Sequence, residues 1–311
     1  MMLTGKKFLL PVLLSCLLLL LCGCSRQEKS DGLTVVASFY PVYIAAANIT
    51  DGVEGVELVS LTGPQTGCLH DYQLSPQEMI ALETADLLLV NGAGMEAFLD
   101  KATSAYPDLK VVSASANIEL LPENETGNEP AKDEEGHDRQ SGGGNPHVWL
   151  SVANYMDYVE NIAAGLMAAD PGNAKLYKQN LAQYTDRLKA LQSKMHEQLR
   201  GIKERRIITF HEAFPYFAKE FGLEIAAVIA QEPGTETSPE EIARIIDTVR
   251  KTGCQALFAE PQYSSAVAET IARETGAKVY TLDPVVTGEY RKDAYEAAME
   301  KNLATLLEAL Q

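Results

Sequence analysis

The chain of 311 residues sets 43 acidic against 26 basic side chains, a formal net charge of −17 at pH 7, which excludes the basic footprint of a nucleic-acid binder. With 46% hydrophobic residues it can bury a sizeable core, and its length predicts two lobes. The acidity bears on solubility and on weak attraction of cations, not on fold.

The first segment is cationic and then apolar: Lys6 and Lys7 precede a run over 8–21 that ends in small residues. These are the parts of a secretory signal, expected over 1–23 with cleavage between Gly23 and Cys24. Leu21, Cys22, Gly23 and Cys24 resemble a bacterial lipobox, in which the cysteine thiol takes a diacylglycerol and the freed amine is acylated or left bare. The alternative is an uncleaved membrane helix, but the run is shorter than the ~20 residues a bilayer core requires. Removing 1–23 takes two lysines and no acid, leaving 288 residues with a charge of −19. Residues 24–32 are then a short lipidated tether, and everything after them lies outside the cytoplasm, anchored to the membrane's outer face.

From residue 33 the pattern alternates. Strands are expected at 33–37, 56–61, 85–91 and 109–113, with Phe39-Tyr-Pro and an apolar stretch of helical character to Ile49, and helices over 75–83 and from Glu96 to Thr103. Ser75 followed by Pro76 is a helix start. Residues 122–144 hold seven acids, two bases and no large apolar side chain, the composition of a mobile surface loop. A helix follows over 152–169. The stretch 173–200 has no breaker and keeps Leu176, Leu181, Tyr184, Leu188, Leu191, Met195 and Leu199 near helical spacing, so a helix of ~28 residues, ~42 Å long, is expected there. After Gly201 the alternation restarts, with strands at 206–210, 225–229, 255–259 and 278–282. Helices are expected at 212–221 (interrupted early by Pro215), 238–251, 265–275 and up to Leu310. The fold class is α/β: two lobes, each with a mainly parallel sheet flanked by helices, joined by one long backbone helix. The expected divisions are an N-terminal lobe over 33–171, a linking helix over 172–201 and a C-terminal lobe over 202–311.

Of five cysteines, Cys16, Cys22 and Cys24 belong to the signal and lipid site, leaving Cys68 and Cys254 as a single bridge or as two buried thiols. His196 sits among polar neighbours in the long helix as an ordinary surface residue. His70, His147 and His211 fall at strand ends or loops, and Asp283 directly follows a strand. In open α/β sheets the crevice outside the carboxyl ends of the strands takes the ligand. Three neutral imidazoles and a carboxylate would fill a zinc tetrahedron. Their separations of 77, 64 and 72 residues contain no short ligand pair, so position and composition alone leave satisfied loop histidines as the alternative.

The surrounding words are GCLHDYQLSPQEMIALETADLLLVNGAGMEAFLD, NPHVWLSVANYMDYVENIA, ITFHEAFPYFAKEFGL and FAEPQYSSAVAETIARETGAKVYTLDP. In this order, and with the lipidated start, they resemble the zinc- and manganese-binding lipoproteins of bacterial ABC importers, the zinc-uptake and adhesion-lipoprotein family. The resemblance runs from about residue 33 to 310. It implies one metal ion between two lobes, with His70, His147, His211 and Asp283 as ligands, a cognate membrane permease as partner, and a monomer. Manganese-tuned members tend to carry Glu at the position of His211, so the third imidazole implies zinc, with manganese as the alternative. Two departures stand out. The first motif often reads Asp-Pro-His but here is Cys68-Leu69-His70, with Cys68 a packing residue or an added soft ligand. Where zinc-binding relatives often have a His-rich insert, residues 122–144 keep only His137. Glu96 and Glu260 resemble recurrent carboxylates of the family and are expected on a helix surface or behind the ligands. Trp149 and Phe214 are expected to pack beside His147 and His211.

The leading expectation is a binding protein that performs no covalent chemistry. An exported zinc hydrolase is the runner-up, with Glu212 as its candidate base, although the chain has no His-Glu-x-x-His helix and no Gly-x-Ser-x-Gly elbow. A surface adhesin comes third, unsupported by repeats.

Overall fold

The computed structural model describes residues 32–66, 69, 72–122, 144–229, 238–261 and 266–311. The signal, Cys24, Cys68, His70, His137 and nearly all of the acidic segment lie outside the described residues.

Two four-stranded sheets, all parallel, repeat one topology. The first has β1 (Leu33–Ala37), β2 (Val56–Ser60), β3 (Leu87–Val90) and β4 (Lys110–Ser113) in the order β2-β1-β3-β4. The second has β5 (Arg206–Thr209), β6 (Glu224–Val228), β7 (Ala256–Ala259) and β8 (Lys278–Thr281) in the order β6-β5-β7-β8. Each order reverses at the pair of central strands, β1 with β3 and β5 with β7, and the loops leaving those four strands open onto the switch-point crevice.

The strands are short apolar runs because both faces of each sheet are covered. Period-two alternation sorts their side chains between faces. Val35, Ala37, Leu87 and Leu89 join the large core, while Val36 and Leu88 turn to an outer cluster with Leu82, Leu99 and Ala102. In the second sheet Ile207, Ala256 and Phe258 join the same large core, and Ile208, Leu257 and Ala259 face a separate cluster with Val249 and Ile271. The outer layers are helices α2 (Pro76–Thr84) and α3 (Asp100–Ala105) on the first sheet, and α7 (Pro239–Thr252) and α8 (Ala266–Thr275) on the second. Between the inner faces lie α1 (Tyr40–Ile49), α4 (Val152–Ala169), α5 (Ala174–Leu199), α6 (Pro215–Phe221) and α9 (Ala294–Ala309). Both sheets therefore share one apolar core within the compact unit Leu33–Gln311.

The long helix is 26 residues, about 39 Å at 1.5 Å per residue, and buries Tyr177, Asn180, Tyr184, Leu188, Leu191, Met195 and Leu199 along one stripe. It begins one residue later than expected, after a 3-10 turn at Pro171–Asn173. Pro76 and the Ser75 hydroxyl start α2 as expected, with a complete Ser75–Glu78 capping box. Two boundaries differ from expectation. The helix expected from 212 starts at Pro215, because proline suits a first turn and not an interior. The segment expected as one helix from Glu96 divides into a 3-10 turn, Ala97–Leu99, and α3. No helix among the described residues is long and apolar enough to cross a membrane.

Helix α4 lies close over the first sheet at Gly165, where an added Cβ would sit 2.6 Å and 2.9 Å from the two methyls of Val112. Valine is stiff at χ1 and cannot step aside cheaply. Gly165→Ala is therefore expected to destabilise the protein, since overpacking costs about 1–3 kcal/mol against the roughly 1 kcal/mol that alanine's helix propensity returns. The urea midpoint reads the balance, and a midpoint above wild type would show the gap to be real space.

Candidate metal centre

The site is assembled from the loops beyond the carboxyl ends of the second sheet and one loop from the first half. Strand β5 delivers His211 and its neighbour β7 delivers Glu260, so both stand at the switch point. Imidazole Nδ1 of His211 lies 3.1 Å from Glu260 Oε1, and Glu260 is 2% exposed. Burial raises the Glu260 pKa; the bond from His211 opposes that, and the charge of Asp283 pushes it further up. When Glu260 is ionised it accepts only, so His211 donates from Nδ1 and its lone pair lies on Nε2. This is the carboxylate-imidazole pairing that orients metal-bound histidines.

His147 is buried at the head of the short turn Val148–Leu150. Its Nδ1 is 3.0 Å from Asn145 Oδ1, which also accepts from the His147 main-chain N–H at 3.0 Å. The Asn145 amide donates to Glu212 O at 2.7 Å, the residue after His211. The rings of His147 and His211 approach to 4.9 Å between centroids at 89°. Two imidazoles bound through one nitrogen each to a tetrahedral zinc, at about 2.0–2.1 Å, have centroids roughly 5 Å apart.

Asp283 follows β8 and is held on both main-chain sides by Asn302 of α9, which accepts from Asp283 N–H and donates to Asp283 O, each at 2.8 Å. Its Oδ1 accepts from Val285 N–H at 2.8 Å, and Val285 takes φ +58° to offer that donor. A β-branched residue there stores strain on the order of 1–3 kcal/mol, a conformation that persists only where its surroundings impose it. Burial raises the Asp283 pKa, against the Val285 bond and the charge of Lys301. The loop then reaches the first half: Gly288 N–H donates to Pro64 O at 3.0 Å and Tyr290 OH to Thr62 O at 3.2 Å. Both acceptors lie in the connection that carries His70 in the sequence.

The first sheet supports the site from its own switch point. Glu96, 7% exposed, accepts from Ser38 Oγ at 2.7 Å after β1 and from the N–H groups of Asn91 and Gly92 at 2.7 and 3.0 Å after β3. Burial still pushes its pKa up to about 7, over the opposing hydrogen bonds. Asn91 Nδ2 in turn donates to Pro146 O at 3.0 Å, beside His147. Glu96 thus ties strand ends together and is not on a helix surface. Trp149 does pack against His147, ring centroids 5.2 Å apart, and donates from Nε1 to Pro284 O at 2.8 Å, next to Asp283.

His147 and His211 are brought together, and Asp283 is linked to the same loops. His70 and the lipidation residue Cys24 lie outside the described residues. Among the described residues no group of three or more His, Cys, Asp or Glu is placed to hold one ion. Asn145, Asn302 and Asn91 are site residues the sequence reading did not single out. Asn145 stands in the NPHVWL word, but nothing in the pattern of α9 marks Asn302.

The family described as zinc-uptake complex component A, periplasmic, matches residues 35–309. The zinc-binding lipoprotein AdcA of Streptococcus pneumoniae is 32% identical over 310 residues, covering 97% of this chain, and the chain spans 60% of AdcA's length. The manganese-binding lipoprotein MntA of Halalkalibacterium halodurans is 28% identical over 316 residues, 98% of this chain and 99% of MntA. Among solved structures, the SBP FpvC of Pseudomonas aeruginosa in complex with Ni2+ superposes with a TM-score of 0.76 at 29% identity, over 90% of this chain and 97% of FpvC, and FpvC is also solved with Mn2+. With the family matched across both sheets and the long helix between them, this chain belongs to the periplasmic component A family of zinc-uptake complexes.

Proposed function

We propose that the chain is an extracytoplasmic solute-binding protein that captures one divalent transition metal, zinc before manganese, and delivers it to an ABC permease. His70, His147, His211 and Asp283 are the proposed ligands. The observation that carries this reading is the imidazole pair: two rings from distant segments, each with Nδ1 against an oxygen, separated by 4.9 Å at a sheet switch point. Three imidazoles with one carboxylate suit zinc, whereas manganese prefers a larger share of oxygen donors. MntA and the Mn2+ complex of FpvC keep manganese as the second reading. Residues 1–23 act as the export signal, Cys24 carries the lipid, and the protein works as a monomer. The metal is cargo: no substrate bond is made or broken, and a hydrolase role for Glu212 draws no support from relatives named for binding and uptake.

Metal analysis of lipid-free protein, followed by competition between zinc and manganese, tests the assignment directly. His211→Glu replaces an imidazole by a carboxylate and should move preference from zinc towards manganese. Unaltered selectivity would remove His211 from the ligand set.

Acid should weaken binding. The ligands must be neutral imidazole and ionised carboxylate, and a raised Asp283 pKa means that the metal displaces its proton from a group that holds it to higher pH than a free aspartate. Affinity is expected to fall from roughly pH 7.5 to 5, a window spanning the imidazole reference of about 6.5, with each displaced proton contributing about tenfold per pH unit. Isothermal titration with a competing chelator reads the slope, and a flat profile would contradict these ligands.

A further inference from the structure

We infer that Asn145 is a positioning residue of the metal centre: its amide sets the tautomer of His147 and at the same time ties the His147 loop to the backbone beside His211. The inference rests on the reading of both histidines as ligands.

The orientation of the amide follows from its main-chain partners. Oδ1 accepts from the His147 N–H, which can only donate, and Nδ2 donates to Glu212 O, which can only accept. With oxygen so assigned, the His147 Nδ1 at 3.0 Å must be the protonated nitrogen, and the lone pair for a metal lies on Nε2. The residue itself is fixed. It is 1% exposed, its N–H donates to Leu121 O at 2.7 Å, and its carbonyl accepts from Tyr216 OH at 2.7 Å. Asn145 O also lies one residue from Gly144, where a Cβ would stand 2.4 Å from Leu121 O, so the strand of chain entering the site has no slack.

The two ends of the amide therefore do different work. Oδ1 prepares one imidazole, while Nδ2 holds the segment that carries the other, which begins on the opposite sheet. Outer partners of metal-bound histidines typically change affinity by 10–100-fold when removed.

The test measures zinc affinity by chelator competition, the His147 tautomer by nitrogen-15 spectra of histidine-labelled metal-free protein, and thermal stability of the same samples. Asn145→Ala should lower zinc affinity about 10–100-fold and abolish the single Nδ1-protonated signature of His147. Asn145→Asp keeps both bonds accepted at Oδ1 but replaces the donor to Glu212 O by an oxygen that faces it. It should retain the tautomer and bind zinc more tightly than Asn145→Ala, and this comparison stands even if the alanine protein is poorly folded and only the aspartate tautomer can be read. Tyr216→Phe removes one of the bonds that fix the Asn145 main chain, and the bond from Leu121 N–H, but leaves both ends of the amide in place; it should retain the single His147 tautomer and lose less affinity than Asn145→Ala. Equal losses in Asn145→Ala and Tyr216→Phe, or a mixed tautomer in Asn145→Asp, would overturn the positioning role. Wild-type affinity in Asn145→Ala together with lost affinity in His147→Ala would overturn it alone, whereas wild-type affinity in His147→Ala would overturn the ligand assignment beneath it.

Discussion

The burial of Trp149 between the two sheets is the constraint on which the site depends. The indole is fully enclosed, meets Phe39 at the end of β1 with ring centroids 5.3 Å apart, and reaches Pro284 O after β8. The Trp149 carbonyl accepts from Tyr295 OH of α9 at 2.8 Å. Enclosing 150–250 Å² of indole is worth about 4–6 kcal/mol as an upper figure. That burial acts where loops from both sheets meet. Two residues earlier in the chain stands His147, so the anchoring of the tryptophan is also the anchoring of the imidazole. Asn145, two residues earlier again, faces the other loop of the second sheet. The short segment between them is gripped on one side by the Asp283 loop and on the other by the His211 loop.

Electrostatics divides the buried carboxylates into two kinds. Glu96 receives a hydroxyl and two main-chain N–H groups, and its work is architectural: it closes the ends of β1 and β3 and, through Asn91, props the loop before His147. Burial raises the cost of ionising both Glu260 and Asp283, the charge of Asp283 adds to it at Glu260, and the compensation comes from His211 for Glu260 and from Val285 N–H and Lys301 for Asp283. A divalent cation near this pair would invert the balance, since an opposite charge favours the ionised form of each acid. A cation bound here would therefore favour loss of the protons that burial makes these carboxyl groups hold.

Much of the fold was legible because both sheets are covered on both faces, which turns their strands into short apolar runs such as LLLV at β3 and ALFA at β7. Serine and proline marked the start of α2, and the apolar spacing from Leu176 to Leu199 marked α5. The limits were local chemistry that pattern does not carry. Pro215 delayed α6, and Glu96, just before the 3-10 turn Ala97–Leu99, became a buried clasp through its bonds to Ser38, Asn91 and Gly92. At the site, His147, His211 and Asp283 were visible as chemistry-bearing residues at strand ends. Their holders were not: Asn302 is a polar side chain on the buried side of α9, nineteen residues from the aspartate it clamps, and only the packing of that helix against the loop reveals it. The expectation of two lobes also needs a physical qualification, because their inner faces are not separate cores.

That shared core bears on how cargo enters and leaves. A motion that parted the two sheets would expose the stacked Tyr155 and Tyr295 rings, 3.8 Å apart, together with Trp149, Phe214 and Phe217, all now fully buried. At about 25 cal/mol per Å² such exposure costs many times RT for each large side chain. The connections above the core add hydrogen bonds such as Gly288 N–H to Pro64 O and Tyr290 OH to Thr62 O, with the Tyr290 ring packed on Tyr43 at 4.2 Å between centroids. A typical bond of this kind contributes only about 0.5–1.5 kcal/mol net. The gradient of cost therefore runs from the core outward. On the proposed reading, an exchange of cargo that remade only these outer contacts would cost less than one that parted the sheets.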